Sequence, residues 1–161
     1  MTTFLTQHFS LEEFTASELA TRRGIDNSLP EHLIEEARKT AQMFERVRDY
    51  LKHLSGREIP VYLLSGYRCL LLNRALGSDD SSHHVLAAAG DLRAPAFGTP
   101  TEICRALVSQ VSVLGIGQLI NEYPDGNGWV HLSRLSVPNP INRVITITHS
   151  GTVAGIQGGA S

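Results

Sequence analysis

The longest regular pattern of apolar positions runs through residues 30–54. Apolar side chains recur there every three or four residues, which places them on one face of a helix. Pro30 suits the first turn of that helix, and Gly56 is typical of the position just beyond a helix end. We therefore predict one long amphipathic helix from about Pro30 to Leu54. Its apolar stripe consists of Leu33, Ile34, Ala37, Ala41, Phe44, Val47, Leu51 and Leu54.

Shorter helices are predicted on both sides of the long one. Ser10 and Glu13 have the spacing of a capping box, which opens a short helix. A second short helix follows and stops at Gly24. The stretch "CLLLNRAL" at 69–76 predicts another, and Thr99 caps a helix that extends to residue 114. The apolar stripe of this last helix consists of Ile103, Leu107, Val111 and Leu114.

Five further segments have the composition of strands, being rich in β-branched, aromatic or small apolar residues. They are "IPVYLLS" (59–65), "AAAGDLRA" (87–94), "GQLINEY" (117–123), "WVHLSRL" (129–135) and "RVITITH" (143–149). The turn signal "PDGNG" separates the third segment from the fourth, and "HSGT" turns the chain after the last one. Because helices come first and strands follow with one helix inserted, we predict an α+β fold. Its mostly antiparallel sheet should carry the N-terminal helices packed on one face.

Composition adds limits to this picture. The chain has 161 residues, 42% of them hydrophobic, which suits one globular domain with a sizeable core. We predict a single domain over residues 1–161, with a loose tail at 156–161. The net charge of −2 comes without any block of like charge, so we expect neither a nucleic-acid nor a membrane partner. No feature of the sequence predicts an oligomeric state.

Cysteine usage and the N-terminus bear on the compartment. Cys69 and Cys104 lie far apart in apolar surroundings, so free buried thiols are expected, with a single disulfide as the alternative. The first ten residues have neither a basic start nor a long apolar core. We therefore expect synthesis in the cytoplasm without a signal peptide, and no apolar run is long enough to span a bilayer.

Candidate chemistry is concentrated in "SSHHVLAAAGDL", residues 81–92. His83, His84 and Asp91 are residue types that bind zinc well, although a polar loop leading into a buried strand would have the same composition. A further histidine, His131, lies in "WVHLS". On a strand it would share one face with Trp129 and Ser133, so both remain near any site that it forms.

The turn "PDGNG" predicts an acidic neighbour for His131. If the turn is centred on Gly126 and Asn127, Tyr123 pairs with Val130, and Glu122 lies opposite His131. Opposed side chains have Cβ atoms roughly 4.5–5.5 Å apart. A carboxylate there could move protons for a zinc hydrolase. An ordinary cross-strand pair, or a carboxylate that only orients the imidazole, is the alternative, and a one-residue change of register would separate the two faces.

Arg68 follows the first predicted strand, in "SGYR". An arginine at the start of a loop can offer a fork of donors to a carboxylate or to a developing oxyanion. Capping of a turn, or pairing with an aspartate, is an equally ordinary role for such a residue. The sequence around Arg68 alone leaves these alternatives open.

Taken together, these motifs resemble the zinc D-alanyl-D-alanine carboxypeptidase family. The likeness rests on "SGYR", Asn73, Ser82 with His84, the seven-residue step to Asp91, "QLINE" and "WVHLS". The opening "HFSLEEFTASELATRRGIDN" also resembles the small single-domain branch common in phage and prophage genomes. The resemblance covers about residues 6–142. It implies a small α+β fold shared with hedgehog signalling domains, one zinc ion, and a peptidoglycan stem peptide as substrate.

The resemblance also implies roles for individual residues. His84, Asp91 and His131 match the zinc ligands. Arg68 matches the arginine that holds substrate and polarises the scissile carbonyl, and Ser82 matches a serine that supports the first ligand by a hydrogen bond. The full set of residues expected to bind substrate or to support the site is Arg68, Ser82, Tyr67 and Trp129.

Three positions depart from the family pattern. Ala87 stands where glycine is usual, and Gly90 stands where alanine is usual. Gly128 occupies the position, three before the last histidine, at which many members carry an acidic residue. In the phage-type branch the acidic residue ending the "QLINE"-like segment looks like its substitute, which makes Glu122 the expected catalytic carboxylate. Asp125 in the turn is its nearest rival.

The expected function is therefore zinc-dependent hydrolysis of peptidoglycan stem-peptide amide bonds, of the D-Ala-D-Ala carboxypeptidase or endopeptidase type. A phage endolysin would act in this way on the cell wall after release, and a virion component would do so at entry. The alternative is a non-catalytic zinc-containing relative that serves as a structural or wall-binding module of a phage particle. A zinc-free structural domain is a third hypothesis.

Overall fold

The computed structural model describes residues 1–158. Its six helices are α1 (Leu11–Thr15), α2 (Glu18–Arg23), α3 (Ile34–Ser55), α4 (Leu70–Ala75), α5 (Pro100–Leu107) and α6 (Val111–Leu114). Short 3₁₀ turns at Glu31–Leu33 and Val108–Gln110 adjoin α3 and α6. The strands are β1 (Tyr62–Ser65), β2 (Ala89–Arg93), β3 (Ile116–Glu122), β4 (Trp129–Arg134), β5 (Arg143–Thr148) and β6 (Gly151–Ala154).

All six strands join one sheet in the order β1-β2-β4-β3-β5-β6. Neighbouring strands are antiparallel except for β3 and β5, which are parallel. The exception arises because β4 already occupies one side of β3. Because β4 ends beside the start of β3, the connection at 135–142 crosses to the other side of β3 at that same end, and β5 then runs parallel to β3. The predicted α+β fold with a mostly antiparallel sheet is confirmed.

The predicted long helix is present and packs as expected. Pro30 precedes the first 3₁₀ turn, and α3 ends at Gly56, whose φ of 70° is the left-handed conformation that glycine adopts without strain. Leu54 in the last turn is the exception within the stripe, since it is 48% exposed. The buried members of the stripe, which contribute to the core, are Ala37, Ala41, Phe44, Val47 and Leu51.

The predicted helix at 99–114 is not continuous. Thr99 and Glu102 form a complete capping box, and α5 runs from there to Leu107. A 3₁₀ turn then interrupts the helix before α6. Val108 and Ser109 are weak helix formers, which is consistent with a tighter turn at this point.

The C-terminal region is more ordered than the sequence predicts. The turn at "HSGT" leads into β6, an exposed edge strand that we did not predict. Within the predicted loose tail, Gln157 and Gly158 make hydrogen bonds to the rest of the fold. Gln157 N–H donates to Thr146 Oγ1 over 2.8 Å, and the Gly158 carbonyl accepts from Arg105 over 2.8 Å. Residues 159–161 of the predicted tail lie outside the described residues.

Two features bear on the chemistry expected of the chain. Cys69 and Cys104 are both free thiols, and burial raises the pKa of Cys104 to about 12. Cys104 is therefore a core residue rather than a reactive thiol.

Among the described residues, no helix combines the length and apolar character needed to cross a bilayer.

Candidate metal centre

Three buried side chains converge where β2 and β4 lie side by side. Asp91 is directly opposite His131 in the register of these strands, and His84 lies in the turns that lead into β2. Asp91 Oδ1 lies 2.9 Å from His131 Nδ1 and 3.4 Å from His84 Nε2. One donor atom from each residue lies within 4.8 Å of the others. The three residues predicted as zinc ligands are thus brought together.

Outer hydrogen bonds orient both imidazole rings. His84 Nδ1 donates to the Gly66 carbonyl over 2.6 Å, which leaves Nε2 facing Asp91. His131 Nε2 donates to Ser133 Oγ over 3.0 Å, and that hydroxyl donates to Gln118 Oε1 over 3.3 Å. Alternation along β4 already placed Ser133 on the His131 face, but nothing in the sequence singled out Gly66 or Gln118.

The lack of a side chain at Gly66 lets the turn that carries it pack closely against Phe14 of α1. A Cβ at this position would lie 2.5 Å from the Phe14 carbonyl oxygen and 2.9 Å from the Phe14 ring. Helix α1 therefore packs directly on the turn that supplies the carbonyl acceptor. The glycine in "SGYR" is explained by this close contact, in addition to its position at the end of β1.

The donor set fits a zinc ion. Two imidazole nitrogens and one carboxylate oxygen are ordinary zinc ligands, and bonds of roughly 2.0–2.1 Å at tetrahedral angles place donors about 3.3 Å apart. The separations of 2.9 and 3.4 Å around Asp91 Oδ1 are close to that value. Each imidazole has the outer hydrogen bond typical of metal-bound histidine. His83 is also buried, but it is not part of the cluster.

Arg68 pairs with the remaining oxygen of the aspartate. Its guanidinium donates to Asp91 Oδ2 over 2.8 Å and, through Nε, to Ser65 Oγ over 2.9 Å. Burial alone would raise the pKa of Asp91, but His84 and His131 hold that pKa well below its usual range. The sequence left several roles open for Arg68, and the structure shows one of them, the ion pair with an aspartate.

The predicted register of the β3–β4 hairpin is wrong. Glu122 pairs with Trp129 and Ile120 pairs with His131, whereas we expected Glu122 opposite His131. The connecting loop consists of the six residues 123–128. Tyr123 leaves the strand because it adopts a left-handed φ of 51°, and its carbonyl accepts from Gly126 N–H in a turn. Glu122 nevertheless stays on the His131 face as a diagonal neighbour.

Glu122 lies at the edge of the cluster. Its Oε1 is 4.0 Å from His131 Nδ1, and its side chain is 18% exposed. Burial raises the pKa of Glu122, the charge of Asp91 raises it further, and His131 and the Trp129 indole oppose the rise. A raised pKa makes the carboxyl group easier to protonate, which suits a group that accepts a proton and returns it.

Asp125, the predicted rival, lies elsewhere. It is exposed on the loop after β3 and lines a small neighbouring cavity of about 130 Å³ together with His149. It does not line the cleft that leads to the three ligands. Of the two acidic residues considered from the sequence, only Glu122 is near the cluster.

The supporting residues are placed differently from one another. Ser82 Oγ accepts from the His84 backbone N–H over 3.3 Å. Trp129 is half-buried and lines the cleft beside Glu122. Tyr67 does not reach the cleft, because its side chain is buried in the hydrophobic core at 7% exposure. Its expected contact with substrate is therefore not supported by its position.

An open cleft of about 790 Å³ leads to the cluster, which is within the range of small-molecule and peptide sites. The ends of β1, β3 and β4 contribute to its lining, as do α2 and the loop after α4. Its charged and imidazole residues are Glu18, Arg22, Arg68, His84, Asp91, Arg93, Glu122 and His131. A buried donor set at one point of an open cleft is the arrangement of a catalytic metal site.

The comparison with protein families agrees with this geometry. The peptidase M15 family matches residues 7–133, which include all three clustered residues and Glu122. The chain belongs to the peptidase M15 family. As an M15 member it is a metallopeptidase of the zinc D-Ala-D-Ala carboxypeptidase and peptidoglycan-hydrolase kind, and its substrate is a peptide. No curated protein matches this M15 peptidase significantly.

Proposed function

We propose that the chain hydrolyses amide bonds in peptidoglycan stem peptides, as a D-Ala-D-Ala carboxypeptidase or as an endopeptidase. The convergence of His84, Asp91 and His131 beside Glu122 in one open cleft carries this proposal. A metal site without a nearby proton-transfer group would suit a structural role equally well. The presence of Glu122 on the same face favours catalysis.

His84 Nε2, Asp91 Oδ1 and His131 Nδ1 would hold one zinc ion. Zinc in such a site lowers the pKa of water and polarises a carbonyl group. The protein contributes orientation, since Gly66 and Ser133 fix the two imidazole rings. It also leaves the cleft side of the donor set free of further protein ligands among the described residues, as a catalytic site requires.

Glu122 is the proposed proton carrier. Its carboxylate would accept a proton from water at Oε1 and deliver it to the leaving amine nitrogen, the usual division of work for a general base that becomes a general acid. Burial raises the pKa of Glu122, and a raised pKa favours the protonated form that the second step needs. Trp129 lines the cleft together with Glu122.

Arg68 is the proposed electrophilic residue. Asp91 and Ser65 hold the guanidinium in place, so a donor that faces the cleft is oriented before substrate arrives. Such a preorganised cation stabilises negative charge that develops on a carbonyl oxygen.

We propose that the peptidase activity serves a phage endolysin. This proposal is supported by the resemblance of residues 8–27 to the small single-domain branch of the family that is common in phage and prophage genomes.

Mass spectrometry of digested muropeptides tests the function. Purified peptidoglycan incubated with zinc-loaded protein should yield new peptide termini, and their masses identify the bond that is cut. A chelator should abolish the products, and added zinc should restore them. Absence of products at saturating zinc, in protein that binds zinc stoichiometrically, would instead support the non-catalytic alternative.

A further inference from the structure

Three arginines line the cleft, and two of them are occupied by partners within the protein. Arg68 pairs with Asp91. Arg93 donates to the Gly128 carbonyl over 2.7 Å and to the Asn127 carbonyl over 2.6 Å, so it fastens the β3–β4 loop. The third, Arg22, lies in the last turn of α2 and is exposed. Among the described residues, Arg22 is therefore the cleft arginine whose guanidinium has no ion-pair or hydrogen-bond partner within the protein.

An acidic residue lies one helical turn before Arg22 on the same wall. Glu18 lines the cleft as well, and residues four apart on a helix have Cβ atoms roughly 5–6 Å apart on one face. Glu18 and Arg22 form no ion pair with each other or with any other described residue. Helix α2 thus presents one negative and one positive side chain to the cleft. Leu19, which lies between them in the sequence, also lines the cleft.

The position of α2 relative to the metal ligands is fixed by Asn27. This residue is 8% exposed, and its amide donates to the Thr15 carbonyl over 2.8 Å and to the Tyr67 carbonyl over 3.0 Å. Its side-chain oxygen accepts from Cys69 N–H over 2.8 Å. These bonds join both ends of the α2 segment to the turn that carries Arg68. The charges on α2 are therefore presented at a constant place in the cleft.

We propose that Glu18 and Arg22 bind the zwitterionic end of an amino-acid side chain, in which an amine and a carboxylate share one carbon atom. This inference rests on the proposed function and names the class of stem peptide that the cleft selects. Arg22 alone would accept any anion, and Glu18 alone would accept any amine. The two together favour a side chain that ends in both groups, as diaminopimelate does and lysine does not.

Two synthetic stem pentapeptides test the proposal. One carries meso-diaminopimelate at the third position, and the other carries lysine there. Wild-type protein should bind and cleave the diaminopimelate peptide with a dissociation constant and KM about fivefold lower than for the lysine peptide, which is the size expected of exposed charge pairs. Arg22→Gln should remove that preference. Glu18→Gln should weaken binding of both peptides, since both carry the side-chain amine.

Binding to metal-free protein, measured by calorimetry, separates this inference from the proposed function. Cleavage of neither peptide would refute the function, whereas equal affinity of the wild type for both peptides would refute the α2 site. Arg23→Gln is the matched control, because Arg23 is exposed on the same helix but does not line the cleft. An equal loss in Arg23→Gln and Arg22→Gln, or an unchanged preference in Arg22→Gln, would also overturn it.

Discussion

Single residues explain why the chain departs from the family pattern beside the metal ligands. Gly128 lies at the usual acidic position, but a Cβ there would lie 2.3 Å from the Glu122 carbonyl oxygen and 2.5 Å from that of Tyr123. The backbone of the six-residue loop therefore leaves no room for a side chain. The carboxylate has to come from another position on the same face, and Glu122 meets that requirement.

Replacement of Glu122 by glutamine should reduce turnover while zinc binding is retained. Glutamine keeps the size of the side chain but cannot carry the proton, so we expect kcat to fall by roughly 10²–10⁴. Steady-state kinetics together with zinc content measures both effects. Asp125→Asn, which alters an acid outside the cleft, should have nearly wild-type kcat.

Two results would contradict this assignment. Full activity in Glu122→Gln would remove Glu122 from the mechanism, and loss of zinc would reassign it to metal coordination. Gly128→Asp in the Glu122→Gln background should not restore activity, because the loop backbone must shift before a side chain fits at position 128. Restored turnover in that double variant would show that the loop adapts more readily than its contacts indicate.

Gly90 and Ala87 are the other two departures from the family pattern, and the first of them has a local cause. A Cβ at Gly90 would lie 2.4 Å from Phe44 Cζ and 2.9 Å from Leu63 Cδ1, so the Phe44 ring occupies the space of the usual alanine. Ala87 has a φ of 55°, a left-handed conformation that costs an alanine roughly 1–2 kcal/mol and that the usual glycine adopts freely.

Gly90→Ala should lower the free energy of unfolding by about 1–3 kcal/mol, the usual cost of overpacking a core. Denaturant titration of the metal-free protein measures this without any contribution from zinc. Adding Phe44→Leu should recover part of the loss, because the shorter side chain vacates the position of Cζ. A Gly90→Ala variant as stable as the wild type would mean that Phe44 moves aside at little cost.

At the scale of elements, α3 supports the segment between the first two ligands. The Thr40 hydroxyl donates to the Ala87 carbonyl over 2.7 Å and accepts from Arg134 Nε over 2.8 Å. Arg134 is 1% exposed, pairs with Glu36, and donates its backbone N–H to the Ala88 carbonyl over 2.9 Å. A buried network thus joins the helix, β4 and the loop before β2.

Thr40→Val should therefore destabilise the protein by roughly 1–3 kcal/mol, since it leaves a buried carbonyl and a buried guanidinium N–H without a partner. Thr40→Ser retains the hydroxyl and should lose less. The midpoint of chemical denaturation distinguishes the two variants. Equal losses would show that the methyl group of Thr40, rather than its hydrogen bonds, makes the contribution.

The sequence predicts those parts of the fold that depend on local patterns. The stripe of α3 and the alternation that puts His131 and Ser133 on one face follow from helix and strand periodicity. The hairpin register depends on the left-handed φ of Tyr123, which a tyrosine rarely adopts, so no turn rule predicts it. No local pattern predicts the parallel pairing of β5 with β3 either, because that pairing depends on the path of residues 135–142.

At the scale of the whole molecule, the candidate zinc site joins segments that are distant in the sequence. His84 belongs to the turns before β2, Asp91 to β2, and His131 to β4. Asp91 and His131 lie 40 residues apart in the sequence, and Arg68 and Asp91 lie 23 apart. The site therefore forms only when the sheet is assembled, and a metal that binds it stabilises the entire fold over the unfolded chain.

Zinc should accordingly raise the melting temperature, and the increase should depend on His84. Free zinc at about 100 times the dissociation constant contributes about 2.7 kcal/mol, and each kcal/mol corresponds to roughly 2–4 °C for a domain of this size. We expect the melting temperature to rise by about 5–10 °C on zinc addition, and a chelator should reverse the rise.

His84→Ala should lose both the rise in melting temperature and stoichiometric zinc binding. His83→Ala should keep both, because His83 is buried beside the cluster but contributes no donor to it. Differential scanning calorimetry with measured zinc content tests this directly, and the opposite result for the two histidines would place the ligand one residue earlier.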